Sequence, residues 1–531
     1  MCVGTRTAAA VFLLAALALA PAAGQEFTQR LTNEVEININ DVSGAGSAQS
    51  SLNEGFNISN SIQLNQGQDS SDRPYFLNLG GRGTDDRTVD LKPLSLTNMQ
   101  LRMGSGSNQW TIGDTFEYFS QYTLSSSLKG IAYTINKDAI EQPSFTLIYG
   151  VGYPRWDSIY GSSSVRSVRR QAYGVRSSKQ MSDAWTVGAQ ILQLQDSKRI
   201  NAGDPLFKGP VYGIDWQYKP FEGLSLTGES AFSTTDENTG LPGGASSHNG
   251  SAHRIVFDGQ GDNLRLLLEY ERVSPGFISI LGSATSDRER IRARWRQKNG
   301  RDTTMNVGML WFRDNLSSQK ANTTNNYRPE ISFAQRRLFN RLYASGDITL
   351  RYDHSTGGGR KTDNKYLDLT YRDRFGEMDF DTRAGLIDYN TNQGQRDSTE
   401  YTLNATFGTR KTIGSVIYRP QLYLGTWLAK DDLTNLEDRI YETSVALGMD
   451  FPDSNIATNF KLGKHRLLKD GGDDNDRVFG NLSVFWRLPE AGGGVSQQML
   501  FFRFGVNQYT NTDTTRDFTE HTASLGVNFE Y

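Results

Sequence analysis

Five arginines, Arg288, Arg290, Arg292, Arg294 and Arg296, stand at every second position of the run RERIRARWR, with Ile291, Ala293 and Trp295 among the residues between them. Extended backbone sends alternate side chains to opposite faces. A strand here therefore gathers five guanidinium groups on one face and apolar groups on the other. Turned toward lipid, each arginine would cost about 2–4 kcal/mol near a bilayer midplane, so in a membrane wall the ladder has to face inward. Such a ladder can attract carboxylated or phosphorylated solutes or polymers, as rings of charge select ions in channels. It can also brace the wall. Inward positions of nearby strands carry Glu269 and Glu271 just before it, and Glu330, Asp347, Asp353, Asp368, Asp379 and Asp381 after it. These are interleaved with Arg265, Arg328, Arg336, Arg351, Arg372 and Arg383. Opposite charges in such abundance favour cross-strand pairing over a net field, although the two roles are compatible.

Other reactive groups are sparse. The five histidines are His248, His253, His354, His465 and His521, and only the first two are near each other, five apart in HNGSAH. His248 and His354 are expected in surface loops, His253 and His465 near strand ends. The chain has one cysteine, Cys2, and no nucleophile-elbow pattern. No catalytic, cofactor-binding or metal-binding residue is expected, and the chain is read as a non-enzyme. With 56 basic against 59 acidic residues, the charge balance also argues against a nucleic acid partner.

The elements that must present the ladder follow from composition and period. Over 531 residues the chain is 37% hydrophobic and 11% aromatic, with 53 Gly. That is too little aliphatic material for thick soluble cores and too many aromatic residues for disorder. Beyond the first two dozen positions no run of about 18 uncharged apolar residues could form a membrane helix. A period of two recurs instead. Tyr441, Thr443, Val445, Leu447, Met449 and Phe451 share one face; Val478, Leu482, Val484, Trp486 and Leu488 repeat the pattern, as do Phe145, Leu147, Tyr149 and Val151. Longer polar connections such as KDGGDDND and NTDTTRD alternate with short ones such as KTIG and FGE. The expected fold is all-β: a transmembrane antiparallel up-and-down barrel of about 26 strands (range 22–26), with short periplasmic turns and longer extracellular loops.

Both ends of the chain fit that fold. Residues 1–24 read as a signal peptide, with Arg6, an apolar run from Ala8 to Ala20, and small residues around Ala22 and Gly24. Its removal takes Cys2 with it. The barrel is then 25–531, with 25–108 open to a second reading as part of a small plug. The final residues alternate strictly, with Ala523, Leu525, Val527, Phe529 and Tyr531 on one face. This resembles the C-terminal strand of bacterial outer-membrane β-barrel proteins. The resemblance implies a porin-like class in the Gram-negative outer membrane, surrounded by outer-membrane lipid, with Leu525, Val527, Phe529 and Tyr531 read by the barrel assembly machinery. A segment at 113–133, GDTFEYFSQYTLSSSLKGIAY, is similar to segments near the start of some large export barrels; an ordinary hairpin with Asp114 in its turn is the simpler reading.

No cofactor is expected. The functional expectation is a large pore with a charged lumen for passage or export of hydrophilic solutes or polymer, an anionic solute or polysaccharide among them. The alternative is a barrel that sheathes or holds a protein partner in its lumen without acting as an open pore.

Overall fold

The structure, a computed structural model, describes residues 28–68, 73–137, 142–152, 155–156, 159, 168–198, 203–392, 396–489 and 497–531. The signal peptide at 1–24 lies outside the described residues, as does most of the Gly-rich turn at 488–496. Strands dominate, and all pair antiparallel with their chain neighbours. Lys411–Ile413 is a short continuation of the strand Arg396–Thr409, since both lie along Val416–Asp431 in one register. The wall therefore has 26 strands. It closes where the first strand, Thr28–Ser43, meets the last, Phe518–Glu530, from Thr32 opposite Glu530 to Ser43 opposite Thr519. At that seam Leu31 and Tyr531 exchange both backbone hydrogen bonds, at 3.1 and 2.9 Å.

Thr28–Ser43, Gly55–Gln68, Tyr75–Thr84, Leu94–Ser105 and Asn108–Thr115 are the first five strands of the wall. Leu94, which ends the apolar DLKPLSL stretch's approach to the wall, opens the strand Leu94–Ser105. The first described residue, Thr28, and the last, Tyr531, lie at one rim, where connections such as 106–107, 222–223, 376–377 and 414–415 are two residues long. Two long excursions, 116–127 and 274–287, leave from the opposite rim.

The period of two sorts the faces. Ile255, Tyr270, Ile291, Leu350, Tyr401, Leu462 and Leu525 are among many large apolar side chains left exposed, and the register places them on the outer side of the wall. A closed sheet satisfies its backbone internally and offers an apolar band outside, which is the one sheet architecture that can cross a bilayer.

The strands run longer than the membrane requires, many to 14–16 residues, because polar hairpin stems continue the ladder beyond the apolar band. This corrects the placement of three histidines. His248 and His253 lie within the strand Ala245–Gln260, and His354 within Ser345–Gly357. His248 pairs with Glu237 at 3.0 Å and His354 with Asp363 at 2.7 Å.

Outer and inner faces should respond oppositely to the same substitution. Leu525→Arg, in mid-strand on the apolar face, should cost about 2–4 kcal/mol. Thr402→Arg, on the inner face, should cost far less. Urea titration of barrels refolded into liposomes, followed by heat-modifiable gel mobility, measures both; equal losses would contradict the face assignment.

Candidate functional site

The inner face does not follow a single rule. On the strands between Leu128–Ile135 and Leu264–Val273, inward positions that ought to meet water are apolar: Ala132, Ile148, Ala172, Leu192, Val211, Ala231, Ala252 and Val273 are all buried. They are covered by the two long excursions, which fold back against the inner wall. Phe119 and Leu124 of the first excursion pack on Ala132, Ile148, Ala172 and Leu192 together with Leu281 of the second. Tyr122 and Phe277 pack on Val211, Ala231, Ala252 and Val273, their rings edge to face at 6.0 Å.

The excursions also grip each other. Ser125 N–H donates to the Leu281 carbonyl at 2.9 Å and Ser283 N–H to the Gln121 carbonyl at 2.7 Å. Gly282 is required at that contact, because a Cβ there would sit 2.5 Å from the Tyr122 carbonyl oxygen.

Beneath the apolar packing runs a row of inward charges from neighbouring strands, and the first excursion docks on it. Arg176 pairs with Asp215 at 2.6 Å and donates to the Phe119 carbonyl. Glu229 accepts the backbone N–H groups of Gln121 and Tyr122, at 3.2 and 2.9 Å, one on each carboxylate oxygen. The Tyr122 hydroxyl donates to Glu271 at 2.9 Å. Burial first, and the Glu271 carboxylate second, push that hydroxyl well above its ordinary pKa, so Tyr122 remains a donor at every physiological pH. The neck of the excursion is closed by the buried cross-strand pair Asp114–Lys129 at 2.6 Å. Trp156 donates to the same carboxylate at 2.9 Å. Asp114 therefore belongs to a strand and a clasp, not to a hairpin turn.

The arginine ladder is divided by this arrangement. Arg290 bridges Glu269 and Glu271, at 2.9 and 2.8 Å, and Arg292 reaches Glu269 at 3.5 Å. Arg254 completes the cluster from the other side, 2.8 Å from Glu269. Arg290 thus steadies the carboxylate that holds Tyr122. Arg288 lies over the Phe312 ring at 5.5 Å. Arg294 and Arg296 are exposed and have no ion-pair partner among the described residues. Further round, Arg328 and Arg351 share Asp353, Arg383 pairs with Asp368, and Arg372 with Asp381. Several of these inward groups remain open to water, with side-chain exposures of 68% for Arg372, 60% for Arg383 and 56% for Asp379. Sequence reasoning found the ladder and its acids but missed Arg176, Asp215, Glu229 and Arg254 as a docking row. The detectable signal was the apolar residue at inward parity on strand after strand.

Leu525, Val527, Phe529 and Tyr531 lie at the seam, with Leu525 opposite Ile37 on one side and Phe502 on the other. The Phe529 and Tyr531 rings are 6.5 Å apart.

No protein-family model and no curated protein matches the chain. Solved structures similar to it are large barrels. The P pilus usher (PapC) translocation pore is 10% identical, with 94% of this chain and 99% of that one covered and a TM-score of 0.43. A ferric enterobactin receptor (PfeA) from Pseudomonas aeruginosa is 11% identical, with 96% and 82% covered and a TM-score of 0.41. OccK3 (OpdO) of Pseudomonas aeruginosa is 9% identical, with 94% and 96% covered and a TM-score of 0.27. The barrel stands on its own closed register, and likenesses of this size say nothing of cargo.

The divided ladder predicts divided phenotypes. Arg294→Gln with Arg296→Gln should lower anion preference, read as reversal potential across a salt gradient in planar bilayers, and leave stability nearly unchanged. Arg290→Gln should do the converse, costing about 3 kcal/mol because it leaves Glu271 buried without its cation. Anion preference that follows Arg290 alone would contradict the division.

Proposed function

We propose that the protein is an outer-membrane channel that passes hydrophilic solutes or polymer along the uncovered part of its inner wall, with the two infolded excursions as a fixed constriction. The apolar outer band supports the membrane location, and the two-residue turns at the rim of Thr28 and Tyr531 support a periplasmic rim there. The observation that carries the channel is the water exposure of inward charged pairs opposite a sector sealed by excursions of 12 and 14 residues.

Size supports it too. Twenty-six strands at about 4.8 Å spacing and about 40° tilt give a perimeter of about 160 Å, far more than side chains alone can fill. Among the described residues the excursions pack on the strands between Leu128 and Val273, while inward pairs beyond them such as Arg372–Asp381 and Arg383–Asp368 stay exposed. Ion pairs along that exposed wall keep it rigid and wet without a strong net field, which suits a route for polar cargo. No catalytic step is assigned to the lumen.

Purified protein in planar bilayers should give large, steady conductance. A silent barrel that copurifies with a stoichiometric protein would replace the channel with a sheath. Within the channel reading, Glu229→Ala removes two charge-assisted hydrogen bonds that hold the first excursion, about 3 kcal/mol or more. Combined with Tyr122→Phe it should raise both mean conductance and its fluctuation. Unchanged traces would show that the excursions do not set the pore.

A further inference from the structure

Across the middle of the wall inward cations come with acids: Arg254, Arg265, Arg290, Arg328, Arg372 and Arg383 are each ion-paired. One corner departs from that pattern. On the strand Arg288–Asn299 the inward positions after Arg292 are Arg294, Arg296 and Lys298, the turn that follows holds Arg301, and the strand Asn325–Arg336 ends on the inward Arg336. All five are exposed, and none has an ion pair among the described residues. The acids nearest in register are otherwise engaged. Asp302 in the same turn lies 3.8 Å from Arg337, Asp347 accepts a hydrogen bond from Thr370, and Glu330 stands opposite Arg351.

The register lays these cations along a trough. Between the two strands runs Thr303–Asp314, whose inward residues here are Thr304, Asn306 and Gly308. Asn306 stands opposite Ser332 and donates to its hydroxyl at 3.0 Å, and Thr304 stands opposite Ala334. A floor of short side chains is thus flanked by Arg294, Arg296 and Lys298 and closed at the rim by Arg301 and Arg336. Cations two residues apart on a strand are about 7 Å apart, inside the screening length of about 8 Å at physiological salt, so each repels the next. That repulsion opposes folding, and an arriving anion relieves it.

We infer that the trough captures a linear polymer bearing repeated oxyanions, carboxylate or phosphate, as it enters the lumen from the rim of Thr28 and Tyr531. The inference rests on the channel reading and names the cargo class and its mouth. A guanidinium group binds an oxyanion with two parallel hydrogen bonds, and a lysine adds a compact point charge. From Arg294 to Lys298 the rungs span about 13 Å, more than one small anion can cover. A chain whose charges repeat engages several rungs, and each contact after the first is made at high effective concentration. A trough one strand wide on the inner face fits such an extended chain rather than the surface of a folded protein.

Isothermal titration of oligogalacturonate and, separately, of short-chain polyphosphate into the detergent-solubilised protein tests the site without requiring conduction. At least one should bind, the tighter of the two naming the oxyanion, and added salt should weaken it. Lys298→Gln with Arg336→Gln should weaken that binding about tenfold. Lys179→Gln with Lys219→Gln, which removes two exposed cations at the same rim on other strands, should leave it unchanged. No binding of either polymer, equal loss in the two variants, or galacturonate monomer held as tightly as the oligomer would overturn the capture site. Conductance in planar bilayers separates the site from the channel: a barrel that binds polymer and does not conduct keeps the site and sinks the channel, and one that conducts and binds neither polymer does the converse.

Discussion

A sheet inside a bilayer cannot have an edge. Every unpaired N–H or C=O facing hydrocarbon costs several kcal/mol, so the first strand must find the last, and everything else in this molecule depends on that meeting. The seam between Thr28–Ser43 and Phe518–Glu530 satisfies it along twelve opposed residue pairs, from Thr32 to Ser43. Closure at 26 strands then fixes the size of the space enclosed. A soluble core would fill that space with side chains, but a lumen this wide exceeds their reach, so the inner wall has to be finished by other means.

Three means are used, each in its own sector. Between Leu128 and Val273 the wall is apolar inside as well as outside, and the excursions at 116–127 and 274–287 supply the missing core. From Arg288 to about Thr409 it is covered by cross-strand ion pairs, which stiffen the wall and tolerate water. At the seam, rings seated on glycines and bordered by amides leave a wall with mixed charge. The charged row of Arg176, Asp215, Glu229, Arg254 and Glu271 is the hinge of the scheme, for it lies under the apolar sector and runs into the arginine ladder. Through it Glu271, which holds the Tyr122 hydroxyl, also fixes Arg290 of the ladder.

The wall was legible because its governing signal is local. A period of two over ten residues needs no partner to be seen, and Tyr441–Phe451 or Ala523–Tyr531 show it alone. Strand ends were less legible. Polar hairpin stems such as the one around His248 carry no apolar alternation, and only pairing with the neighbouring strand shows that they continue the ladder. The excursions were hidden for a different reason. FEYFSQYTL has the composition of a strand, and what sends it inward is the apolar wall waiting at Ala172 and Leu192, strands away in sequence. The glycine seats at Gly463 and Gly526 are likewise invisible until register places Phe479 and Phe501 over them.

The arginine ladder carries this furthest. Five arginines of one parity look like one device, yet their roles diverge with what stands opposite. Arg290 and Arg292 face Glu269 and Glu271 on the preceding strand and become structural cations beneath Tyr122. Arg294 faces Leu267 on one side and Gly308 on the other, and Arg296 faces Asn306, so neither is given an acid by its neighbours. Their charge is left to the lumen. In a barrel the unit of chemistry is therefore the cross-strand row rather than the strand, and a motif read along one strand acquires its function only after the register has chosen its neighbours.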